Sequence, residues 1–202
     1  MKISVLGSLG NLLPIPGGTV VRVAALKNAG SSVPKSTKLL TAIGLIWLGL
    51  SLLTTGICLL PHIRNIGILL IFGGTLVYSF SVFLIGYKTS RKCRLLVALT
   101  ALEFLVILNA GLRTFLVLIS LGFHTSLVQS MALVASGSVA VAAGIVPAGL
   151  GIRELLAASI GTQVGIGGGP AFLASALNSA ISILLLIPLF GLAQFLREKT
   201  VV

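Results

Sequence analysis

At 202 residues the chain is 56% hydrophobic and only 8% charged, with a mean hydropathy of +1.17, a composition that excludes a water-soluble globular domain. Its formal net charge of +11 does not point to nucleic acid. Most of the cations fall in short clusters between apolar runs, where they set topology and meet anionic headgroups, and no basic stripe interleaved with aromatics is present.

In chain order, residues 3–13 form an apolar run too short to span, ended by Pro14-Ile15-Pro16-Gly17-Gly18. Met1-Lys2 and this run faintly resemble a signal peptide, but no small-residue cleavage site follows cleanly, so the segment is expected to be retained. It reads as half of a discontinuous helix whose other half is 19–29, giving a first broken-helix element over 1–30. A basic linker with Lys27, Lys35 and Lys38 leads to a full span at 39–60. Pro61-His62-Ile63-Arg64-Asn65 makes a tight connection, and 66–86 returns. After the strongest charge cluster (Lys88, Arg91, Lys92, Arg94) comes a third span at 95–121, completing the three spans of 39–121.

A neutral loop at 122–126 leads to a fourth span, 127–146, which a second break joins to a short segment ending near 165. Gly165, Gly167, Gly168 and Gly169 read as a linker capped by Pro170, before a last span at 171–195. The expected fold is a single all-α multispan membrane domain over 1–202. It would hold about five full spans plus two broken or re-entrant segments that form an internal repeat. The positive-inside rule places the Lys27–Lys38 and Lys88–Arg94 loops in the cytoplasm and the loops with His62 and His124 outside, in a bacterial-type cytoplasmic membrane. It also favours a crossing, rather than a dip and return, for the short segment before 165.

Ser136, Ala140 and Gly144 make a small-residue seam on the fourth span, and Ser175, Asn178, Ser179 and Ser182 a polar stripe on the last. Both patterns suit helix packing.

The two breaks spell nearly the same pattern. Pro16, Gly18 and Arg22 recur as Pro147, Gly149 and Arg153, with the same spacing of Pro-x-Gly-x-x-x-Arg. A break frees backbone groups that hydrocarbon cannot satisfy, so it belongs in buried protein or beside a wet cavity. The restarted helix points free N–H groups and a partial positive charge at that cavity. An arginine in the first turn opposes the dipole, at roughly 0.3–1 kcal/mol where exposed. The arrangement therefore asks for an anion, and a lipid phosphate suits the planar fork of arginine. Paired broken helices in the two halves of a membrane protein also point to a midplane site. The candidate headgroup residues are Pro16, Gly17, Gly18 and Arg22 with Pro147, Gly149, Gly151, Arg153 and Glu154.

Leu13-Pro14-Ile15-Pro16-Gly17-Gly18-Thr19-Val20-Val21-Arg22 resembles the first signature of the lysylphosphatidylglycerol synthetase transmembrane (flippase-like) family. Pro147-Ala148-Gly149-Leu150-Gly151-Ile152-Arg153-Glu154 resembles its second, a Pro-Gly-Gly-x-Gly-x-Arg-Glu pattern. Thr19 stands where the family often has an acidic residue, Ala148 where it has glycine, and the chain is short at its N-terminus by comparison. The resemblance implies a role in moving or handling anionic or aminoacylated lipids, or lipid-linked envelope precursors. No soluble aminoacyl-transfer domain accompanies it, so lipid synthesis is not expected.

The third span carries Glu103, Asn109 and Arg113. Asn109 and Arg113 lie about 40° apart and Glu103 about 80° from Arg113, so all three are expected to face the bundle with Asn178 as an intramembrane polar network. Glu103 could neutralise an arginine of a broken segment until an anion arrives.

Enzymatic readings find no support. The chain has no aspartate and three glutamates, Glu103, Glu154 and Glu198. It has no nucleophile–histidine–acid set, no His-Glu-x-x-His and no phosphate-loop lysine. Cys58 and Cys93 lack ligand spacing, and His62 and His124 lack a carboxylate, so neither a disulfide nor a metal is expected, and no cofactor. The expected function is a lipid transporter or flippase-like protein whose partners are membrane lipids. The alternative is a non-catalytic subunit that scaffolds an envelope-lipid or glycolipid synthase, or assembles with copies of itself.

Overall fold

The structure, a computed structural model, describes residues 32–86, 90–143 and 149–198, together with 23, 24, 26 and 27. The described residues are helical throughout, without a strand. In chain order the helices are α1 Val33–Leu59, α2 Arg64–Ile85, α3 Ser90–Ser120, α4 Leu127–Ala132, α5 Val134–Ala143, α6 Ile152–Gln163 and α7 Gly168–Glu198. Among the described residues three are long and apolar enough to cross a membrane: α1, α2 and Cys93–Ser120 of α3. Their outward faces carry Phe72, Phe80, Phe83, Leu102, Leu105 and Leu116, all exposed, as lipid-facing surfaces do. The chain is a helical membrane protein.

α1 and α2 form the most closely packed pair. Pro61 lacks an amide hydrogen, and the chain turns there, with His62 N and Ile63 N donating to Leu59 O at 3.0 and 2.8 Å. Glycines then bring the two backbones together. A Cβ on Gly56 would stand 2.9 Å from Gly67 O, and one on Gly74 would stand 2.8 Å from Gly49 O. The pairs Gly49/Gly56 and Gly67/Gly74 are each seven residues apart, so they recur on one helical face. In hydrocarbon, where burying apolar surface gives no advantage over lipid, such close backbone contact is what holds helices together.

Residues expected to make one span over 127–146 form two helices, α4 and α5, separated at Leu133. The break is made by tertiary contact: Ala135 N donates to Thr55 Oγ1 of α1 at 3.2 Å, and Ser136 N turns to Leu133 O at 3.1 Å. Ser126 caps α4, accepting from Gln129 N while the Gln129 side chain accepts from Ser126 N. Gln129 Nε2 also donates to Val164 O at 2.8 Å, so α6 ends beside the start of α4.

α6 is 12 residues long, about 18 Å and well short of a roughly 30 Å hydrocarbon core. It is joined to α7 by a turn in which Gly165 and Gly167 have φ of 81° and 94°, a region that glycine enters at no steric cost. The expected linker is therefore only this turn. α7 begins at Gly168, with Pro170 in its first turn, where no intrahelical donor is lost. Gly161 meets Ala171 and Glu154 meets Ser179 across the pair, so α6 and α7 run antiparallel. A small apolar core of Leu59, Leu118, Ala132, Leu133, Val164, Ala171 and Ala174 closes the end where these turns gather. Deeper in, the buried residues are small and polar: Ser51, Thr55, Ser136, Ser138, Ser175, Asn178 and Ser179.

Candidate functional site: a cavity lined by two arginines

The second motif folds as a glycine turn and a helix start. Gly149 and Gly151 have φ of 70° and 84°, and a Cβ on Gly149 would stand 2.8 Å from the Cβ of Ala140 on α5. Both glycines are thus required by the backbone, one by conformation and close packing together. Glu154, 4% exposed, turns back to accept from Gly151 N at 2.5 Å and accepts from Ser179 Oγ at 2.9 Å. Each carboxylate oxygen is occupied, one closing the start of α6 and the other clasping α7. Arg153, one residue earlier, points the other way.

Arg153 faces a cavity of about 200 Å³ enclosed by Trp47 of α1, Val106, Ala110, Arg113 and Thr114 of α3, Leu133, Ser136, Gly137 and Val141 around α5, Ala157 of α6, and Ser175, Asn178 and Ser182 of α7. Trp47 lies near the middle of α1, and Ala110 past the middle of α3. The Arg153 guanidinium lies over Gly137, where a Cβ would come 3.5 Å from Nε. Arg153 Nε is buried and, among the described residues, has no hydrogen-bond partner; Ser175 Oγ is in the same condition.

Arg113, the second cation in the cavity, is engaged through Nε and Nη2. Its Nε donates to Asn178 Oδ1 at 3.2 Å, and its Nη2 donates to Asn178 Oδ1 at 3.0 Å, Asn178 O at 3.1 Å and Ser182 Oγ at 2.8 Å. Asn178 Nδ2 donates onward to Thr114 Oγ1 at 2.9 Å. All these acceptors are neutral, so the contacts orient the guanidinium without cancelling its charge. Arg153 feels that charge as repulsion and the neighbouring Glu154 as attraction. The neighbouring carboxylate, Glu154, has its two oxygens on Gly151 N and Ser179 Oγ. Within a helical bundle this makes a cationic site whose Arg153 Nε and Ser175 Oγ have no hydrogen-bond partner among the described residues.

The structure thus joins Arg153, Arg113 and Asn178 around one cavity, and places Glu154, Gly149 and Gly151 at the turn and helix start that carry Arg153. Glu103 is half-buried and engaged with a partner. Asn109 does not join the network: it is exposed. The buried stripe of α3 runs through Ile107, Gly111, Thr114 and Leu118, and Asn109 sits about 170° from its centre at 100° per residue. Arg22, Pro16, Gly17, Gly18 and Pro147 lie outside the described residues. Sequence reasoning passed over Trp47, Thr114 and Gly137 as lining residues. Trp47 alone carried a signal, being a tryptophan in mid-span rather than in an interfacial belt.

The site defines a class, a helical membrane protein with a cavity lined by two arginines. No protein-family model, curated protein or solved structure matches the chain.

Proposed function

We propose that the chain is a flippase-like lipid transporter whose cavity takes the phosphate of a lipid headgroup. Arg153 makes the contact, and Arg113 supplies a second, pre-oriented charge. The observation that carries this reading is the buried Nε of Arg153, without a partner among the described residues, inside a cavity it shares with another arginine. A phosphate oxygen would satisfy that donor and relieve the repulsion between the two cations, while Ser175 Oγ offers a hydroxyl to the headgroup. The start of α6 favours the same ligand through its dipole. A short broken-helix α6 in a cytoplasmic membrane, and a matching half-helix over 19–29 with Arg22 in its first turn, belong to this reading. The resemblance of both motifs to the flippase-like family points the same way. The lipid class extends to anionic and aminoacylated phospholipids and lipid-linked envelope precursors, all of which carry the phosphate.

The test is leaflet exchange in proteoliposomes with a fluorescent phosphatidylglycerol and an external quencher. Wild type is expected to expose inner-leaflet lipid, and folded Arg153→Gln to lose most of that activity. Excess inorganic phosphate separates a site for free phosphate, which it would saturate, from one that needs the acyl chains. Equal exchange by wild type and Arg153→Gln would reject the arginine site. Absent exchange with unchanged binding of a partner synthase would favour a scaffold.

A further inference from the structure

A second cavity lies between α1, α2 and α3. The glycine contacts draw α1 and α2 together, and α3 packs along α1 but meets α2 only sparsely. This leaves a groove of about 350 Å³, floored by Leu50 and walled by Tyr78 of α2 and by Val97, Thr100, Ala101 and Phe104 of α3. Its walls are apolar except at one point, where Tyr78 Oη and Thr100 Oγ1 share a hydrogen bond of 3.1 Å. Two hydroxyls joined by one hydrogen bond keep a second hydrogen to donate. The start of α3 is basic, with Arg91, Lys92 and Arg94 and no acidic residue in its first turn. These cations oppose the helix dipole. Arg94 is exposed and stands seven residues before Ala101, hence on the same face of the helix.

We infer that this groove holds one acyl chain of an anionic glycerophospholipid, drawn from the leaflet in which α3 begins. Three features align along α3 in the order such a lipid requires. The phosphate meets Arg94 near the start of the helix. An ester carbonyl accepts from the Tyr78–Thr100 pair, about 9 Å further along the axis, a distance that the arginine side chain shortens. The chain then runs over the small Ala101 toward Phe104. Charge complementarity selects an anionic lipid over a zwitterionic one, and Ala101 leaves the width that the chain fills. The site is separate from the arginine cavity and shares no residue with it.

The experiment is photo-crosslinking of the full-length protein in nanodiscs. The probe is phosphatidylglycerol with a diazirine in one acyl chain, and the labelled peptides are mapped by mass spectrometry. Labelling is expected at Tyr78 and over 97–104, displaced about tenfold better by unlabelled phosphatidylglycerol than by phosphatidylcholine, or roughly 1.4 kcal/mol. Ala101→Phe, at an exposed position, is expected to remove the labelling, and Arg94→Gln to erase the preference between the two lipids. Should Ala101→Phe fail to fold, Thr100→Val with Tyr78→Phe provides the second variant, expected to weaken labelling. Even labelling over the outer faces of α2 and α3 would overturn the proposal. So would labelling insensitive to Ala101→Phe, equal displacement by both lipids, or a groove that stays unlabelled because another segment of the chain fills it.

Discussion

Arg153 and Arg113 carry the same charge under opposite conditions. Arg113 is fixed by Asn178 and Ser182, so removing the Asn178 side chain takes the acceptor from Nε and one of the three from Nη2. Asn178→Ala should therefore lower stability by about 2–3 kcal/mol, the range for hydrogen bonds to a charged group. Arg153→Gln removes a charge whose Nε has no partner to lose among the described residues, and the thermal midpoint in detergent should stay level or rise. Matching losses for the two variants would show that Arg153 is structural and would count against the cavity as a ligand site. The turn at Gly149 and Gly151 and the helix start beside Arg153 were legible because the spacing itself encodes them. Asn109 was not. Helical angles relate residues to one another without saying which side packs inward, and Glu103 and Asn109, about 120° apart, could not both lie on a narrow buried stripe.

At the scale of elements, the α1–α2 hairpin was readable from its ends and hidden in its middle. Pro61 and the polar residues around it marked the turn, whereas the glycines looked like ordinary members of apolar runs. Their seven-residue spacing on both helices was the available signal. Gly73 and Gly74 make a clean comparison, because a Cβ on Gly74 would lie 2.8 Å from Gly49 O and 2.9 Å from Leu53 N, while one on Gly73 meets nothing within 4 Å. Gly74→Ala should cost about 1–3 kcal/mol through forced separation of the backbones. Gly73→Ala should be neutral or stabilise by up to about 1 kcal/mol through helix propensity. Unfolding in mixed micelles with increasing dodecyl sulfate reads both, and equal effects would refute the backbone contact. The break at Leu133 had no local signal at all. No proline or paired glycine marks it, and it arises because Thr55, 80 residues away, takes the Ala135 amide.

For the whole molecule, the distribution of residues inverts that of a soluble protein, with phenylalanine and leucine outside and serine, threonine and alanine within. Hydropathy alone made the membrane class legible. It did not reveal how the interior is joined, since Arg113 with Asn178 and Glu154 with Ser179 pair across long sequence separations. The charge pattern adds a prediction about orientation. Cys93 is free and exposed among the cations at the start of α3, so an impermeant maleimide should label it only after cells are permeabilised. A His62→Cys variant should be labelled from outside without permeabilisation, and the reverse pattern would invert the topology.

The Arg113–Asn178 contact has a consequence for biogenesis. The arginine enters the membrane with α3, but its acceptor lies 65 residues further along the chain, which takes about 3–13 seconds to synthesise at ordinary elongation rates. Throughout that interval the ribosome is delivering α4 to α6 while the guanidinium of α3 has none of its final partners. The nascent bundle must therefore stay open to water or to the insertion machinery until α7 arrives. Closure of the cavity is then the last event of assembly, and α7 is the helix that seals it.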